Sequence, residues 1–377
     1  MNLLRLKLAI IAVFVAWLLP LAEVSAKNQP VDIVFTLDLS GSTNGLIDDV
    51  RDNIWGMNNE LTRLYPNADI RFAVVGYSRP SFGSKNQFVK VISPFTSNID
   101  FIATELYKLK PNIEKGDQYV GAAIRASLDM LSWSHEKNAV KQIFLTGNGS
   151  VFLGAFDVVE SCDLAKEKGI TVNSLYCYSS LRAKEISGWY KISEITGGKS
   201  IDVKVHKRLP DYATVTDFNR LQMLATELNK TYIYYGKEGR DKFKAMVSNE
   251  KNVLNARHSA FEDLLYHKIS DRFQGKQSDW DLVDYLKSRN GNLKNVDARL
   301  LPDSLKNINP EQLLTKLMIL KERRSYLLSQ IRQLLPFDRQ DKLTAYFNSK
   351  QSDSDMIFDR QVMMVVKDEM QSDLAAN

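Results

Sequence analysis

Short apolar runs alternate with amphipathic stretches from residue 31 to about residue 203. The apolar runs predict strands at 31–37, 70–77, 88–92, 140–146, 170–177 and 199–203. The amphipathic stretches predict helices around 46–64, 99–109, 119–133, 155–168 and 185–196. This alternation is typical of an α/β fold with a mostly parallel, doubly wound sheet that carries helices on both faces. The run at 88–92 is expected to pair with 70–77 as an antiparallel edge hairpin, because only a loop rich in Ser, Gly and Pro separates them.

The pattern changes after Lys204, where strand signals fade and charged, helix-forming sequence continues towards the C-terminus. Asn309 followed by Pro310 predicts a helix N-terminus with Asn309 as its N-cap. Leucines recur at helical spacing from 313 to 334, and Pro336 is expected to end that helix. The chain is therefore divided into an α/β domain at 27–208 and a mainly α-helical domain at 209–377.

Residues 1–26 have the three parts of a secretory signal peptide. A basic start contains Arg5 and Lys7, an apolar stretch covers 8–21, and a small-residue cleavage site ends at Ala26. The apolar stretch is short for a membrane span and is interrupted by proline; a retained N-terminal anchor is the alternative. We therefore expect an exported protein, periplasmic or extracellular, with no membrane span after signal cleavage.

Charge and composition narrow the classes of function. The formal net charge of +5 is spread along the chain without a concentrated basic block, which argues against a nucleic-acid partner. Arg323 and Arg324 form a small basic cluster, interpreted as the solvated face of the long helix. The sequence contains no Gly-x-Ser-x-Gly nucleophile motif and no pair of His or Cys residues at zinc-binding spacing. We therefore expect a protein that is not an enzyme.

The most informative polar residues directly follow the first predicted strand, where Asp38, Ser40 and Ser42 occupy alternate positions. In an open α/β sheet, ligands bind beyond the carboxyl ends of parallel strands. Two further loops are expected at the same edge: one carries Asp117 before the third predicted helix, and the other carries Asn148 after the fourth predicted strand. Carboxylate, hydroxyl and amide oxygens suit a hard cation such as Mg²⁺, with Mn²⁺ or Ca²⁺ as alternatives.

The run Asp38-Leu-Ser-Gly-Ser42 resembles the Asp-x-Ser-x-Ser signature of the von Willebrand factor A (VWA) family, in which it opens a metal-ion-dependent adhesion site (MIDAS). The resemblance extends from 31 to about 203. It includes Gly-Asp at 116–117 before a helix, Ala-Lys-Glu-Lys-Gly-Ile at 165–170 and Ile-Thr-Gly-Gly at 195–198. Segments of the helical part resemble the extensions that follow VWA domains in some exported bacterial proteins.

The resemblance implies a ligand set and a kind of partner. Ser40, Ser42 and Asp117 would bind the cation directly, while Asp38 and Asn148 would bind it through water. Since Mg²⁺ takes six oxygens and usually keeps waters, one coordination position would remain for an Asp or Glu carboxylate offered by a partner protein.

Two loop positions depart from the VWA pattern and leave alternatives open. Asn148 stands where family members often carry an Asp, so the oxygen is kept and a charge is lost. In the second loop, Gln118 is the alternative ligand to Asp117 and would hold the cation more weakly. A degenerate site without metal is a further alternative, as is an Asp38 that only satisfies backbone groups in a strand-to-helix turn.

The two cysteines, Cys162 and Cys177, are both predicted near one edge of the sheet. After export they could form a disulfide, and two buried free thiols are the alternative.

These patterns together predict an exported, non-enzymatic protein that mediates divalent-metal-dependent protein–protein recognition or adhesion. The alternative is a structural envelope scaffold that has a degenerate metal site and binds through its helical tail.

Overall fold

The computed structural model describes residues 29–43, 45–109, 114, 116–178, 180–204, 211, 213–289, 293–294, 296–336, 362 and 364–368. The predicted signal peptide at 1–26 and the predicted domain boundary at 208 lie outside these ranges, and both stay predictions. Within the described ranges, every helix is too short or too polar to cross a lipid bilayer.

The described residues form a six-stranded sheet, which confirms the predicted α/β fold. Its strands are β1 (Gln29–Asp38), β2 (Ala68–Tyr77), β3 (Lys90–Thr96), β4 (Val140–Gly147), β5 (Thr171–Cys177) and β6 (Ser200–Val203). Their order is β3-β2-β1-β4-β5-β6, and all neighbours are parallel except β3, which is antiparallel to β2. The predicted edge hairpin is confirmed, but its second strand starts later than expected, because Phe88 has a φ of 58° and belongs to the turn.

Both faces of the sheet are buried, which is why its strands show continuous apolar runs instead of alternation. On β1, Ile33 and Phe35 pack on one face and Val34 packs on the other. Helices α1 (Gly45–Leu64) and α2 (Ile99–Lys108) cover the first face. The second face is covered by α3 (Val120–Asp129), α4 (Val158–Glu167) and α5 (Ile186–Thr196).

The rest of the described chain is mainly helical, as predicted. It contains α6 (Phe218–Asn229), α7 (Gly239–Ala256), α8 (His258–Ile269), α9 (Leu282–Ser288) and α10 (Pro310–Leu334). Helix α8 packs on α1 and α7 packs on α2, so these helices share the core of the first sheet face. The Asn309 side chain accepts the N–H of Glu311 at 2.8 Å, which confirms the predicted N-cap of α10.

Arg324 lies on the buried face of α10, so its assignment to a solvated face is wrong. The residue is 4% exposed and occupies the same heptad position as the buried Leu317 and Ile331. Its guanidinium lies 2.7 Å from the Asp281 carboxylate and 3.0 Å from that of Asp284. The two carboxylates that compensate this buried charge lie in α9 and at the residue directly before it.

The possible disulfide between Cys162 and Cys177 is not formed: both residues are buried free thiols. Cys162 on α4 packs in the core of the second sheet face, whereas Cys177 packs in the core of the first. Successive side chains of a strand point to opposite faces. The sheet therefore separates two cysteines that the sequence placed near one edge.

We expect neither cysteine of the native protein to react promptly with a water-soluble aromatic disulfide, and both to react after denaturation. Burial raises the pKa of Cys162 to about 12 and that of Cys177 well above its usual value, so the reactive thiolate is scarce. The check is a spectrophotometric thiol titration with and without guanidinium. Prompt reaction of the native protein, or a bridged species in intact-mass analysis, would contradict this arrangement.

Candidate metal centre

Asp38 ends β1 at the point where the strand order reverses. Strand β1 lies between β2 and β4, with Asp38 opposite Tyr77 of β2 and Thr36 opposite Leu145 of β4. The connection after β1 leads to one side of the sheet, and the chain later returns to the other side. The carboxyl end of such a strand borders a crevice in which open α/β sheets bind ligands.

The Asp38 carboxylate is completely buried. Its two oxygens accept the Ser40 N–H at 2.9 Å and the Ser40 hydroxyl at 3.1 Å. Burial raises the pKa of Asp38 from 3.8 to about 6, although these hydrogen bonds and the positive charge of Arg182 act in the opposite direction. A carboxylate in this position is a site where a cation would stabilise the charged form.

A single turn of 3₁₀ helix at Gly41–Thr43 directs the first loop. The Thr43 hydroxyl is 2.7 Å from the Asp38 carbonyl oxygen and 3.1 Å from that of Ser40, and it fixes the turn. Ser40 lines the cleft beside Asp38. The side chain of Ser42 lies outside the described part of the structure, so its assignment as a ligand stays a prediction.

The second and third loops meet through the carboxamide of Gln118. Its Oε1 accepts the N–H groups of Asn148 and Gly149 at 3.2 and 2.5 Å, and its Nε2 donates to Asn148 Oδ1 at 3.2 Å. Gln118 and Asn148 are both buried, whereas Asp117 is exposed on the wall of the same cleft. The structure thus brings Gln118 to Asn148 and keeps Asp117 within the cleft; which of the two binds a cation stays a prediction.

Aromatic side chains hold the loop after β4 in place. The Tyr77 hydroxyl donates to the Thr146 carbonyl at 2.6 Å, and the Trp189 indole N–H donates to the Gly149 carbonyl at 2.9 Å. A Cβ at Gly147 would lie 2.5 Å from both the Tyr77 hydroxyl and the Trp189 ring, so only glycine fits there. The position of Asn148 is therefore fixed from both sides.

Ser78 is a residue of this site that the sequence analysis missed. It follows β2 directly, has a φ of 72° and is almost fully buried. Its hydroxyl is close enough to Asp38 to lower the pKa of that carboxylate, yet it has no well-formed hydrogen bond within the described ranges. A strained backbone and an unsatisfied hydroxyl beside a buried carboxylate are features of functional sites. Asp38 lies opposite Tyr77 in the pair of strands β1 and β2, and Ser78 directly follows Tyr77. This strand register is the signal from which the position of Ser78 could have been predicted.

The three loops enclose an open cleft of about 830 Å³. Its charged lining consists of three acids and one base: Glu114, Asp117, Glu185 and Arg182. With Asp38 beneath it, the cleft has an excess of negative charge and favours a cation. Glu114 is already engaged, since it accepts the N–H and the hydroxyl of Ser81 at 2.9 and 2.8 Å.

The donor set fits a hard cation. In the described ranges, no three His, Cys, Asp or Glu side chains cluster in the way that a site built from those residues requires. The oxygens available are instead a hydroxyl beside Asp38 and a carboxamide on the cleft wall. Such neutral oxygens, combined with one or two carboxylates, suit Mg²⁺ or Mn²⁺, which also retain water ligands.

No protein-family model matches the chain, and no curated protein matches it. Among solved structures, it is similar to an aerotolerance-related membrane protein from Bacteroides fragilis, with 16% identity and a TM-score of 0.34 over 46% of this chain and 92% of that one. It is also similar to the VWA domain of SpRpn10, with 10% identity and a TM-score of 0.34 over 46% of this chain and 88% of that one.

A third similar structure is the proximal thread matrix protein 1 of the mussel byssus, solved with a zinc-occupied MIDAS motif. Its identity is 16% and its TM-score is 0.34 over 46% of this chain and 44% of that one. At these TM-scores, the likenesses assign neither a family nor a function to this chain.

Proposed function

We propose that this chain is an exported, non-enzymatic protein that binds a divalent cation in the cleft and uses it to recognise a partner protein. The observation that carries the proposal is the buried Asp38 carboxylate, which lies next to a cleft that Ser40 and Gln118 line and against which Gln118 holds Asn148. The VWA-like motifs at 38–42 and 116–117 support the same conclusion.

The residues of the cleft would have different roles in such a site. Ser40 and one residue of the second loop would hold the cation directly, and Asp38 would balance its charge from below. Gln118 fixes the Asn148 carboxamide, so the third loop does not need to reorganise when a ligand enters. A bound cation would supply an open coordination position for a partner's Asp or Glu carboxylate.

The second candidate function is a structural envelope scaffold that binds through its helical part. An apolar groove between α9 and α10 favours it, because Met318 and Ile319 are exposed there beside Leu286 and Leu314. Partner capture that persists in EDTA and is lost on Ile319→Lys would support this function over the metal-dependent one.

We expect Mg²⁺ and Mn²⁺ to raise the melting temperature of the protein in a concentration-dependent way. A ligand that binds only the folded state stabilises it by about 2.7 kcal/mol when its free concentration is about 100 times Kd. The measurements are differential scanning fluorimetry and isothermal titration calorimetry. An unchanged melting curve and no heat of binding at millimolar metal would contradict the proposal.

Substitutions at two carboxylates of the same cleft can distinguish direct coordination of the cation from its attraction to the negative charge of the cleft. Asp117→Asn should weaken Mn²⁺ binding about tenfold or more if Asp117 is a ligand, as the sequence predicts. Glu114→Gln is the matched control, because it removes the same charge from a residue already bonded to Ser81. Equal losses in both variants, or a larger loss in Gln118→Ala, would contradict the assignment of Asp117.

A further inference from the structure

Arg182 is held in a defined position at the mouth of the cleft. It lies in the 3₁₀ turn that follows β5, and its φ of −119° and ψ of 17° interrupt the helical geometry. The buried Tyr176 hydroxyl donates to the Arg182 carbonyl at 2.7 Å. The backbone at Arg182 is therefore tied to the sheet, although the side chain itself is exposed.

The Arg182 guanidinium lies over the loop that carries Asn148. A Cβ at Gly149 would lie 3.1 Å from Arg182 Nη1 and 2.6 Å from Gln118 Oε1. Across the described ranges, no carboxylate or carbonyl accepts a hydrogen bond from this guanidinium. An arginine offers five N–H donors in a planar fork that matches a carboxylate, and Arg182 lines an open cleft.

Exposed apolar side chains flank Arg182. Leu181 directly precedes it and is 93% exposed. Leu153 lines the same cleft and is 43% exposed, and its neighbour Phe152 is 68% exposed. Side chains of this size at the edge of a polar cleft are typical of contact surfaces for another protein.

The acids of the cleft restrict the charge of any occupant. Glu114, Asp117 and Glu185 line it together with Arg182. A run of acidic residues would meet their repulsion, whereas one carboxylate directed at Arg182 would not.

We propose that Arg182 is the specificity-determining residue of the cleft and binds the carboxylate of a single acidic side chain on a partner protein, while Leu181, Phe152 and Leu153 contact apolar side chains next to it. This proposal rests on the proposed function, because the cation would take the other oxygen of the same carboxylate. The ligand is thus an exposed segment with one Asp or Glu flanked by apolar residues.

The test uses the full chain in Mg²⁺ and a capped synthetic peptide with one aspartate between a leucine and a phenylalanine. Fluorescence anisotropy should show that this peptide binds about tenfold more tightly than its asparagine counterpart, since a charge-assisted hydrogen bond from Arg182 is lost. Arg182→Met should remove this preference. Lys184→Met removes a nearby cation that does not line the cleft and should leave the preference intact.

Two further variants test the apolar contact and the charge restriction. Leu181→Ser should weaken the binding of both the aspartate peptide and the asparagine peptide several-fold. A peptide whose apolar neighbours are replaced by aspartates should bind more weakly than the original despite its larger charge. Equal affinities of Arg182→Met and Lys184→Met for the aspartate peptide would overturn the role of Arg182.

Mn²⁺ binding, measured by electron paramagnetic resonance on the same proteins, keeps the two proposals separate. Arg182→Met should retain Mn²⁺ binding, because the guanidinium repels a cation. If the unmodified protein binds no Mn²⁺, the proposed function fails, whereas peptide binding that depends on Arg182 would still support this inference.

Discussion

Replacing Arg324 with alanine is expected to lower the free energy of unfolding by about 3–5 kcal/mol, because it leaves two buried carboxylates without their counter-ion. The guanidinium contacts both Asp281 and Asp284 and donates to the Thr231 carbonyl at 2.7 Å. It also lies 4.0 Å from the centre of the Tyr232 ring. Loss of these contacts removes the buried polar connection between α10 and α9, whose apolar contacts remain. Urea denaturation followed by circular dichroism and tryptophan fluorescence measures the effect.

Arg323→Ala is the matched control, since it removes the same charge from the adjacent residue of the same helix. The Arg323 side chain is 49% exposed and lies 3.8 Å from Glu227. A surface ion pair of this kind contributes about 0–1 kcal/mol. In an Arg324→Met background, Asp281→Asn should recover part of the lost stability, because one uncompensated charge is removed. Equal costs for the two alanine variants would show that the buried network does not stabilise the fold.

The sheet could be predicted from the sequence because each central strand is buried on both faces and shows as an unbroken apolar run. The sequence did not show which helices and side chains pack against each face of the sheet. Cys162 and Cys177 illustrate this limit, since both were predicted near one edge of the sheet and their separation onto opposite faces depends on the pleat of β5. The prediction for Arg324 was wrong for a related reason. Its partners Asp281 and Asp284 are remote in sequence, so the residues next to it along the chain indicated only an exposed charge.

The candidate site likewise contains residues whose positions could be predicted from the sequence and residues whose positions could not. Asp38 and Asn148 could be placed at one edge, because each lies at the carboxyl end of a strand of the predicted parallel sheet. Gln118 and Asp117 are neighbours in an irregular loop, where no periodicity tells which side chain turns inward; the structure buries Gln118 and exposes Asp117. Arg182 belongs to no motif, and it lines the cleft from a turn whose backbone is bonded to Tyr176.

Replacing Asp38 with asparagine is expected to abolish metal binding and, at the same time, to stabilise the metal-free protein at neutral pH. The pKa of Asp38 is raised from 3.8 to about 6 by burial, so the folded state resists ionisation of this group. That difference corresponds to a penalty of about 3 kcal/mol once the carboxylate is charged. Asparagine keeps the shape and an acceptor for the Ser40 N–H but carries no charge.

The sign of the effect predicts a specific pH dependence in EDTA. Below about pH 3, Asp38 is protonated in both the folded and the unfolded state, so the variant and the parent should be equally stable. Between about pH 4 and 6 the unfolded state has lost this proton and the folded state keeps it, so the parent loses stability and the variant does not; their difference should level off at about 3 kcal/mol at about pH 7. Saturating Mg²⁺ should restore the parent and leave Asp38→Asn unchanged. Urea curves at several pH values, with EDTA or Mg²⁺, measure each step.

Asp32→Asn provides the matched control at the opposite end of β1. Asp32 is also completely buried, but both of its oxygens are 2.8 Å from the Arg71 guanidinium, and it accepts the Ser134 N–H at 2.7 Å. Its charge is compensated within the protein, so neutralising it should destabilise the fold at neutral pH. The two substitutions therefore make the same chemical change in one strand and should act in opposite directions. If Asp38→Asn also destabilised the metal-free protein at neutral pH, the Asp38 carboxylate would already be compensated, and the main reason for placing a cation beside it would be lost.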